Sequence, residues 1–324
     1  MTRLGLQIVP TMPPDEVIDT IVAAEAIGYE YCQVADEGLM ADVYTVLGAA
    51  AGRTSTIRLG VATNGYTRHP AATAAALATV DHLSGGRAFV TLVAGGTMVL
   101  GPLGISREQP VVVMRETIEI LRRLWSGEPV TWKGERFHLD RAQLHINGGF
   151  SIPIFMAVRG PRLLRVAGQM ADGVVLIAKF DLGDALATVV EGRGDRTGEF
   201  TRAYLDRLTF TPAMLEEAKS LYSYALLDSP ERLLHNLGLD EGAIDALKQA
   251  VADGGPAAAT ALVTPDMVRA YQIAGTPEEC RQALSELVAL HELDLFMMNI
   301  ISSGLDTNTR LLEDVREIIA VEVA

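Results

Sequence analysis

One stretch, Arg58 to Gly96, constrains the fold of this chain more than any other. An apolar strand-like run, Ile57–Ala62, leads into Thr63, Asn64 and Gly65. Pro70 then opens an alanine-rich helix, where its fixed φ suits the first turn and its missing N–H costs little. The helix, Ala71–Leu83, stops at Gly85-Gly86, and a second apolar run, Ala88–Ala94, ends in Gly95-Gly96. This is a strand–loop–helix–strand unit with polar and small residues at the carboxyl ends of its strands. In parallel α/β folds that edge of the sheet is where ligands bind.

The same alternation runs through most of the sequence. Further strand-like runs lie at Leu4–Val9, Tyr31–Ala35, Ile152–Val158, Gly173–Ile177 and Leu293–Ile300, with a weaker one near Tyr204–Phe210. Helical periodicity appears at Asp15–Ile27, Val43–Gly52, Val111–Leu124, Pro161–Met170, Ala213–Leu227, Glu278–Leu290 and Asn308–Val321. Two stretches break the rhythm: 127–150, which reads as a hairpin-like insertion, and 229–276, which reads as helical and rich in Gly and Ala. About eight βα units point to an α/β chain, a single (β/α)8 TIM barrel domain over 1–324 with insertions, since such barrels take roughly 250 residues and up. A doubly wound open sheet is the alternative. Against it, the first strand–helix turn, Pro10 to Pro14, lacks the Gly-x-Gly-x-x-Gly fingerprint of that fold.

A net charge of -14 argues against nucleic acid and anionic membranes as partners. The start of the chain has no signal-peptide pattern, and no apolar run is long enough to span a bilayer, so a cytoplasmic protein is expected. Cys32 and Cys280 lie far apart without metal-ligand spacing, as do His138 and His145, so no metal site is expected.

Several residues at strand ends are candidates for chemistry, each with a plainer reading beside it. Asp36-Glu37 closes the second strand and forms either an acid/base pair or a solvated loop before a helix. Thr63, Asn64 and Gly65 either hydrogen-bond a ligand or serve as ordinary turn chemistry. Gly95-Gly96 leaves room for a ligand's side chain, or is simply a turn. Arg159-Gly160-Pro161-Arg162 has the form of an anion grip at a helix start, or of plain capping. Lys179 meets the same anion or is a surface lysine, and Ser302-Ser303-Gly304 is placed at the mouth. Arg68 is read as a loop or dimer anchor, and His69 as structural rather than catalytic. Met297-Met298 is read as core strand with one pocket residue, and Trp125 and Trp132 as packing.

The runs Thr-Asn-Gly-Tyr-Thr-Arg-His-Pro (63–70), Leu-Ser-Gly-Gly-Arg (83–87), Gly-Pro-Arg-Leu-Leu-Arg-Val-Ala-Gly (160–168) and Ala-Asp-Gly-Val (171–174) resemble the bacterial luciferase-like superfamily. Within it the chain is most similar to the coenzyme F420-dependent branch, in particular the methylenetetrahydromethanopterin reductases. The resemblance runs nearly end to end, including Ala-Gly-Thr-Pro-Glu-Glu (274–279). It implies an oxidoreductase that moves a hydride between coenzyme F420 and a small organic substrate, a methylene-pterin, imine or carbonyl compound. It implies a deazaflavin across the strand ends, with Val61, Ala62, Thr63, Asn64 and Gly65 at its ring and Gly160 with its flanking arginines at its phosphate. It also implies a bulge with a non-prolyl cis peptide near Val61-Ala62, and a homodimer or higher oligomer through the helices after strands two and three. The pterin reductases carry a glutamate where this chain has Gln7, as a proton donor; glutamine keeps the hydrogen bonding and loses the proton. Glu37, with Asp36, is then expected to supply the acid. Two other readings stay open: an FMN-dependent monooxygenase using reduced flavin and oxygen, and a flavin-binding protein without turnover.

Overall fold

The computed structural model describes residues 2–146, 149–227, 229, 231–301 and 304–320. The chain begins β1 (Arg3–Ile8), α1 (Pro14–Ile27), β2 (Tyr31–Ala35), α2 (Val43–Ala51), β3 (Arg58–Thr63) and α3 (Pro70–Ser84). It continues through β4 (Ala88–Val93), a short α4 (Thr97–Leu100), α5 (Pro110–Trp125) and the hairpin β5 (Val130–Lys133) and β6 (His138–Ala142). Next come β7 (Ile154–Ala157), α6 (Pro161–Met170), β8 (Gly173–Leu176), α7 (Leu182–Arg193) and β9 (Thr201–Asp206). Helices α8 (Pro212–Leu227), α9 (Glu231–Asn236), α10 (Glu241–Ala259) and α11 (Pro265–Tyr271) precede α12 (Pro277–His291), β10 (Leu295–Ile300) and α13 (Leu305–Ala320). The strands close in the order β1-β10-β9-β8-β7-β4-β3-β2, every neighbouring pair parallel. The open-sheet alternative is excluded.

Local chemistry sets the helix ends. Pro70 opens α3 behind His69, whose Nδ1 accepts from the Ala71 N–H at 3.2 Å, and Gly85 ends it with φ +69°. Thr276 and Glu279 form a reciprocal capping box at the start of α12. The strand anticipated near Tyr204–Phe210 instead ends at Asp206. The Asp206 carboxylate accepts from the N–H of Leu208 at 3.0 Å and of Ile273 at 2.7 Å, which turns the chain out of the barrel.

The expected bulge at Val61-Ala62 is absent. None of the described peptide bonds is cis, and β3 keeps unbroken register with β2 and β4 through Val61 and Ala62. The Asp36 N–H donates to the Ala62 carbonyl at 2.8 Å. The trans ladder is complete there, with each of the two residues paired on both sides.

Two layers of core follow from strand alternation. Outward residues such as Leu6, Val34, Val61 and Val90 pack under the helices. Inward residues fill the amino-terminal half of the barrel, where the ring of Phe89 stands 5.4 Å from that of Tyr31 and 5.6 Å from that of Phe155. Glycine opposite these rings is a matter of space: a Cβ at Gly60 would fall 2.3 Å from Phe89 Cζ, and one at Gly173 2.7 Å from Phe155 Cδ1. The barrel is therefore plugged at the level of these rings, with the carboxyl ends of its strands open above them. Helices α8, α10 and α11 build a separate small core around Tyr222, Leu247, Val268 and Tyr271. This helical segment is tied to the barrel by Arg159 Nη1 on Ser229 Oγ (2.9 Å) and by Arg232, which holds buried Asp181 with two bonds of 2.9 and 3.2 Å.

Candidate active site

A cavity of about 490 Å³ opens above the plug. Its two sides differ in chemistry. Strands β1 to β3 and the residues just after them contribute Gln7, Asp36, Glu37 and Asn64. Strands β7 to β9 and their ends contribute Ala157, Val158, Val175, Ile177 and Leu205. The loop after β4 supplies Gly95 and Gly96, and two cations, Arg107 and Arg159, stand at the rim with Gly160.

The two carboxyl groups are not equivalent. Asp36 Oδ2 accepts a 2.8 Å hydrogen bond from Thr63 Oγ1. Burial, and secondarily the charge of Asp36, raises the Glu37 pKa above the ordinary carboxyl value. A carboxyl that keeps its proton to higher pH beside a hydrogen-bonded carboxylate suits proton transfer.

Gln7 belongs to a row of side chains crossing the barrel above the aromatic plug. Thr91 Oγ1 donates to Gln33 Oε1 at 2.6 Å, Gln33 Nε2 to Gln7 Oε1 at 2.6 Å, and Gln7 Nε2 to Asn299 Oδ1 at 3.2 Å. Asn64 closes an Asx turn, its Oδ1 accepting from Tyr66 N–H (2.8 Å) and Thr67 N–H (2.9 Å), while it also lines the cavity. Gly95 has φ +81°, a turn that favours glycine, and a Cβ there would come 2.7 Å from Leu100 Cδ1 of α4, which would have to shift.

At the other side of the mouth Gly160 caps α6 without a side chain, and a Cβ there would meet nothing within 4 Å. Pro161 has no N–H, so the first amide donors of the helix are those of Arg162 and Leu163. This is open, positively polarised backbone next to Arg159, fit for an anion.

Other candidates fall away from the cavity wall. Val61 points outward into the helix-facing core, since alternation turns Ala62 inward instead. Thr63 is fully buried and holds Asp36 rather than a ligand. Gly65 packs on α5, where a Cβ would come 2.6 Å from Thr117 Oγ1. Pro161 and Arg162 lie on the exposed first turn of α6, outside the lining. Lys179 also lies off the lining and faces Asp206 and Cys280; burial lowers its pKa. Met297 and Met298 are both fully buried. Arg68 stacks 4.3 Å over the Tyr44 ring and reaches Asp42, and Trp125 donates to the Ala74 carbonyl. Ser302 and Ser303 lie outside the described residues.

Sequence reasoning passed over Arg107 and the short helix α4, whose Met98 and Val99 line the mouth. Arg107 sits in an irregular stretch with no periodicity, and its Nη1 donates to the Gly95 carbonyl at 3.0 Å. The only sequence signal was its place in the loop between the Gly95-Gly96 pair and the Pro110 helix start.

Comparison with known proteins places this geometry. Residues 1–291 match the luciferase-like monooxygenase family, and the chain belongs to it. It is similar to the 5,10-methylenetetrahydromethanopterin reductase of Archaeoglobus fulgidus, at 31% identity over 300 residues covering 88% of this chain and 90% of that one. Among solved structures it resembles the coenzyme F420-dependent tetrahydromethanopterin reductase of Methanopyrus kandleri, with a TM-score of 0.85 at 26% identity over 98% of each chain. An F420-dependent secondary alcohol dehydrogenase shares the fold, with a TM-score of 0.78 at 20% identity over 99% of each chain. No helix among the described residues is long and apolar enough to cross a membrane.

Proposed function

We propose that this chain is a coenzyme F420-dependent oxidoreductase that moves a hydride between the deazaflavin and a carbon of a small organic substrate. The observation that carries the reading is the two-sided cavity: a carboxyl-and-amide wall faces an apolar one, and the rim ends at the open amide start of α6. The similarity to F420-dependent reductases over most of the chain supports it. The residues present fit such a cofactor. Ala62, Val93, Ala157 and Val175 give the cavity apolar lining, and Arg159, Gly160 and the amides of Arg162 and Leu163 would hold an anionic tail.

When bound, the deazaflavin supplies the hydride chemistry. The protein's own part is position, exclusion of water and management of a proton. Glu37 gives or takes that proton at its carboxyl oxygen. Burial, and secondarily the charge of the neighbouring Asp36 that Thr63 fixes in place, helps hold the Glu37 proton. Gln7 contributes hydrogen bonds without a titratable proton, which is why the acid is assigned to Glu37. The substrate is a small molecule of the methylene-pterin, imine or carbonyl class.

Titration of the purified protein with F420 and with FMN, followed by fluorescence, tests the cofactor. F420 is expected to bind at micromolar affinity or better. Tight FMN binding without F420 binding would move the chain to the oxygen-using monooxygenases. Oxidation of reduced F420 by methylenetetrahydromethanopterin, read at 420 nm, tests the substrate.

A further inference from the structure

Interior layers of barrels like this are dominated by branched apolar side chains. Here the layer directly above the aromatic plug is polar. Gln33 and Thr91 are each 0% exposed and neither lines the cavity, so bulk solvent does not reach them. They satisfy each other and Gln7 through the row Thr91→Gln33→Gln7→Asn299. Strand β3, which runs between β2 and β4, places only Gly60 and Ala62 inward at this level. That gap lets the Thr91 hydroxyl on β4 reach Gln33 on β2.

The row has a directional logic. Each carboxamide presents oxygen on one side and N–H on the other. Turning Gln33 or Gln7 alone would set two oxygens or two N–H groups face to face at their 2.6 Å contact beneath the cavity. The two carboxamides therefore turn together. After its two bonds Gln7 keeps one N–H and one oxygen lone pair. Of the three carboxamides it is the one that lines the cavity.

We propose that Gln33 and Thr91 are positioning residues that fix the orientation of the Gln7 carboxamide, so that the substrate is met by a neutral, paired donor and acceptor. This rests on the reading of the cavity as the hydride-transfer site. It deepens that reading by assigning substrate recognition at Gln7 to hydrogen bonding rather than charge.

The test uses Thr91→Val, Gln33→Met and Gln33→Glu in the full chain, with two readouts. The first is hydrogen exchange of the Gln7 side-chain amide in protein carrying 15N-labelled glutamine. The second is steady-state oxidation of reduced F420 by methylenetetrahydromethanopterin. Thr91→Val and Gln33→Met are expected to speed Gln7 amide exchange at least tenfold and to raise KM for the pterin three- to tenfold. Cofactor Kd should stay within twofold. Gln33→Glu carries its own signature. Protonated, the introduced carboxyl donates to Gln7 as the glutamine does; ionised, it forces Gln7 to donate instead. Relative to the parent at each pH, the kcat/KM of this variant should be near unity at low pH and fall about tenfold as the pH rises, a second limb added to the one Glu37 gives the parent. Thr91→Val keeps the side-chain shape and covers the case in which Gln33→Met does not fold. Unchanged Gln7 exchange in both neutral variants would overturn the proposal, as would KM and cofactor Kd rising together. A parent protein that leaves the pterin untouched, yet shows the expected exchange changes, would remove the pterin as substrate and uphold the positioning role.

Discussion

The hydroxyl of Thr63 donates a 2.8 Å hydrogen bond to Asp36 Oδ2, joining the ends of β3 and β2. With the Asp36 N–H on the Ala62 carbonyl, it anchors one carboxyl of the Asp36-Glu37 pair at both backbone and side chain. Glu37 stays on the cavity side with its pKa raised, first by burial and then by that fixed neighbour.

Glu37→Gln is accordingly expected to lower kcat by ~10²–10⁴, the usual worth of a general acid or base, with cofactor affinity nearly unchanged. With Glu37 as the proposed acid, the form expected to be active in the direction that consumes a proton is protonated Glu37. Its raised pKa keeps that form present to higher pH than an ordinary carboxyl allows, and activity falls as the pH climbs through the raised value. The same shift makes folding less favourable as pH rises through it, and Glu37→Gln removes that part of the pH dependence. A pH–rate profile and pH-dependent melting check both. Full turnover in Glu37→Gln would leave Glu37 as a loop residue.

Gly160→Asp separates folding from binding. The site has open space at the Cβ, and aspartate is a better helix N-cap than most residues. Melting temperature is expected to hold or rise slightly. Cofactor binding should weaken by ~2–4 kcal/mol, from a negative charge placed against a bound anion. Isothermal titration alongside thermal melting reads the two effects. Unchanged affinity would remove α6 from the anion site.

Gly60→Ala tests the plug. The added methyl group would fall 2.3 Å from Phe89 Cζ, so the ring must move against Tyr31 and Phe155. Overpacking of this kind costs about 1–3 kcal/mol, and urea unfolding should show it. A variant as stable as the parent would mean the plug is looser than its geometry implies.

Glu116 holds the turn of the β5–β6 hairpin by accepting from the N–H groups of Glu135, Arg136 and Phe137. Glu116→Ala is expected to destabilise by ~1.5–3 kcal/mol, the worth of hydrogen bonds to a charged group. Hydrogen exchange at residues 135–137 should rise with it. Protection that survives the substitution would show that the hairpin orders without its anchor.

The barrel was legible because strand and helix periods alternate for most of the length, and because Pro70, Gly85 and the Thr276–Glu279 box punctuate them. Asp36, Glu37, Gln7, Gly95 and Gly160 were legible as residues at strand ends, and all five line the cavity. What escaped has physical causes. Val61 and Ala62 differ only in the parity of the strand, and sequence does not say which one faces inward. Thr63 turned out to hold a carboxylate at the end of the neighbouring strand, a contact that depends on register between β2 and β3. The Thr91–Gln33–Gln7–Asn299 row joins four strands that are far apart in sequence, so no local pattern announces it. Arg107 lies in a segment without period or motif.

The unlike walls of the cavity also bear on stereochemistry. A flat substrate with one polar edge has a single low-energy way to enter, with that edge toward Gln7, Glu37 and Asn64 and its bare edge toward Val175, Ile177 and Leu205. Once so seated, only one of its two faces is turned to a given partner above or below it. A trigonal carbon reduced here is therefore expected to receive its new hydrogen from one side, and a prochiral substrate should leave as a single enantiomer.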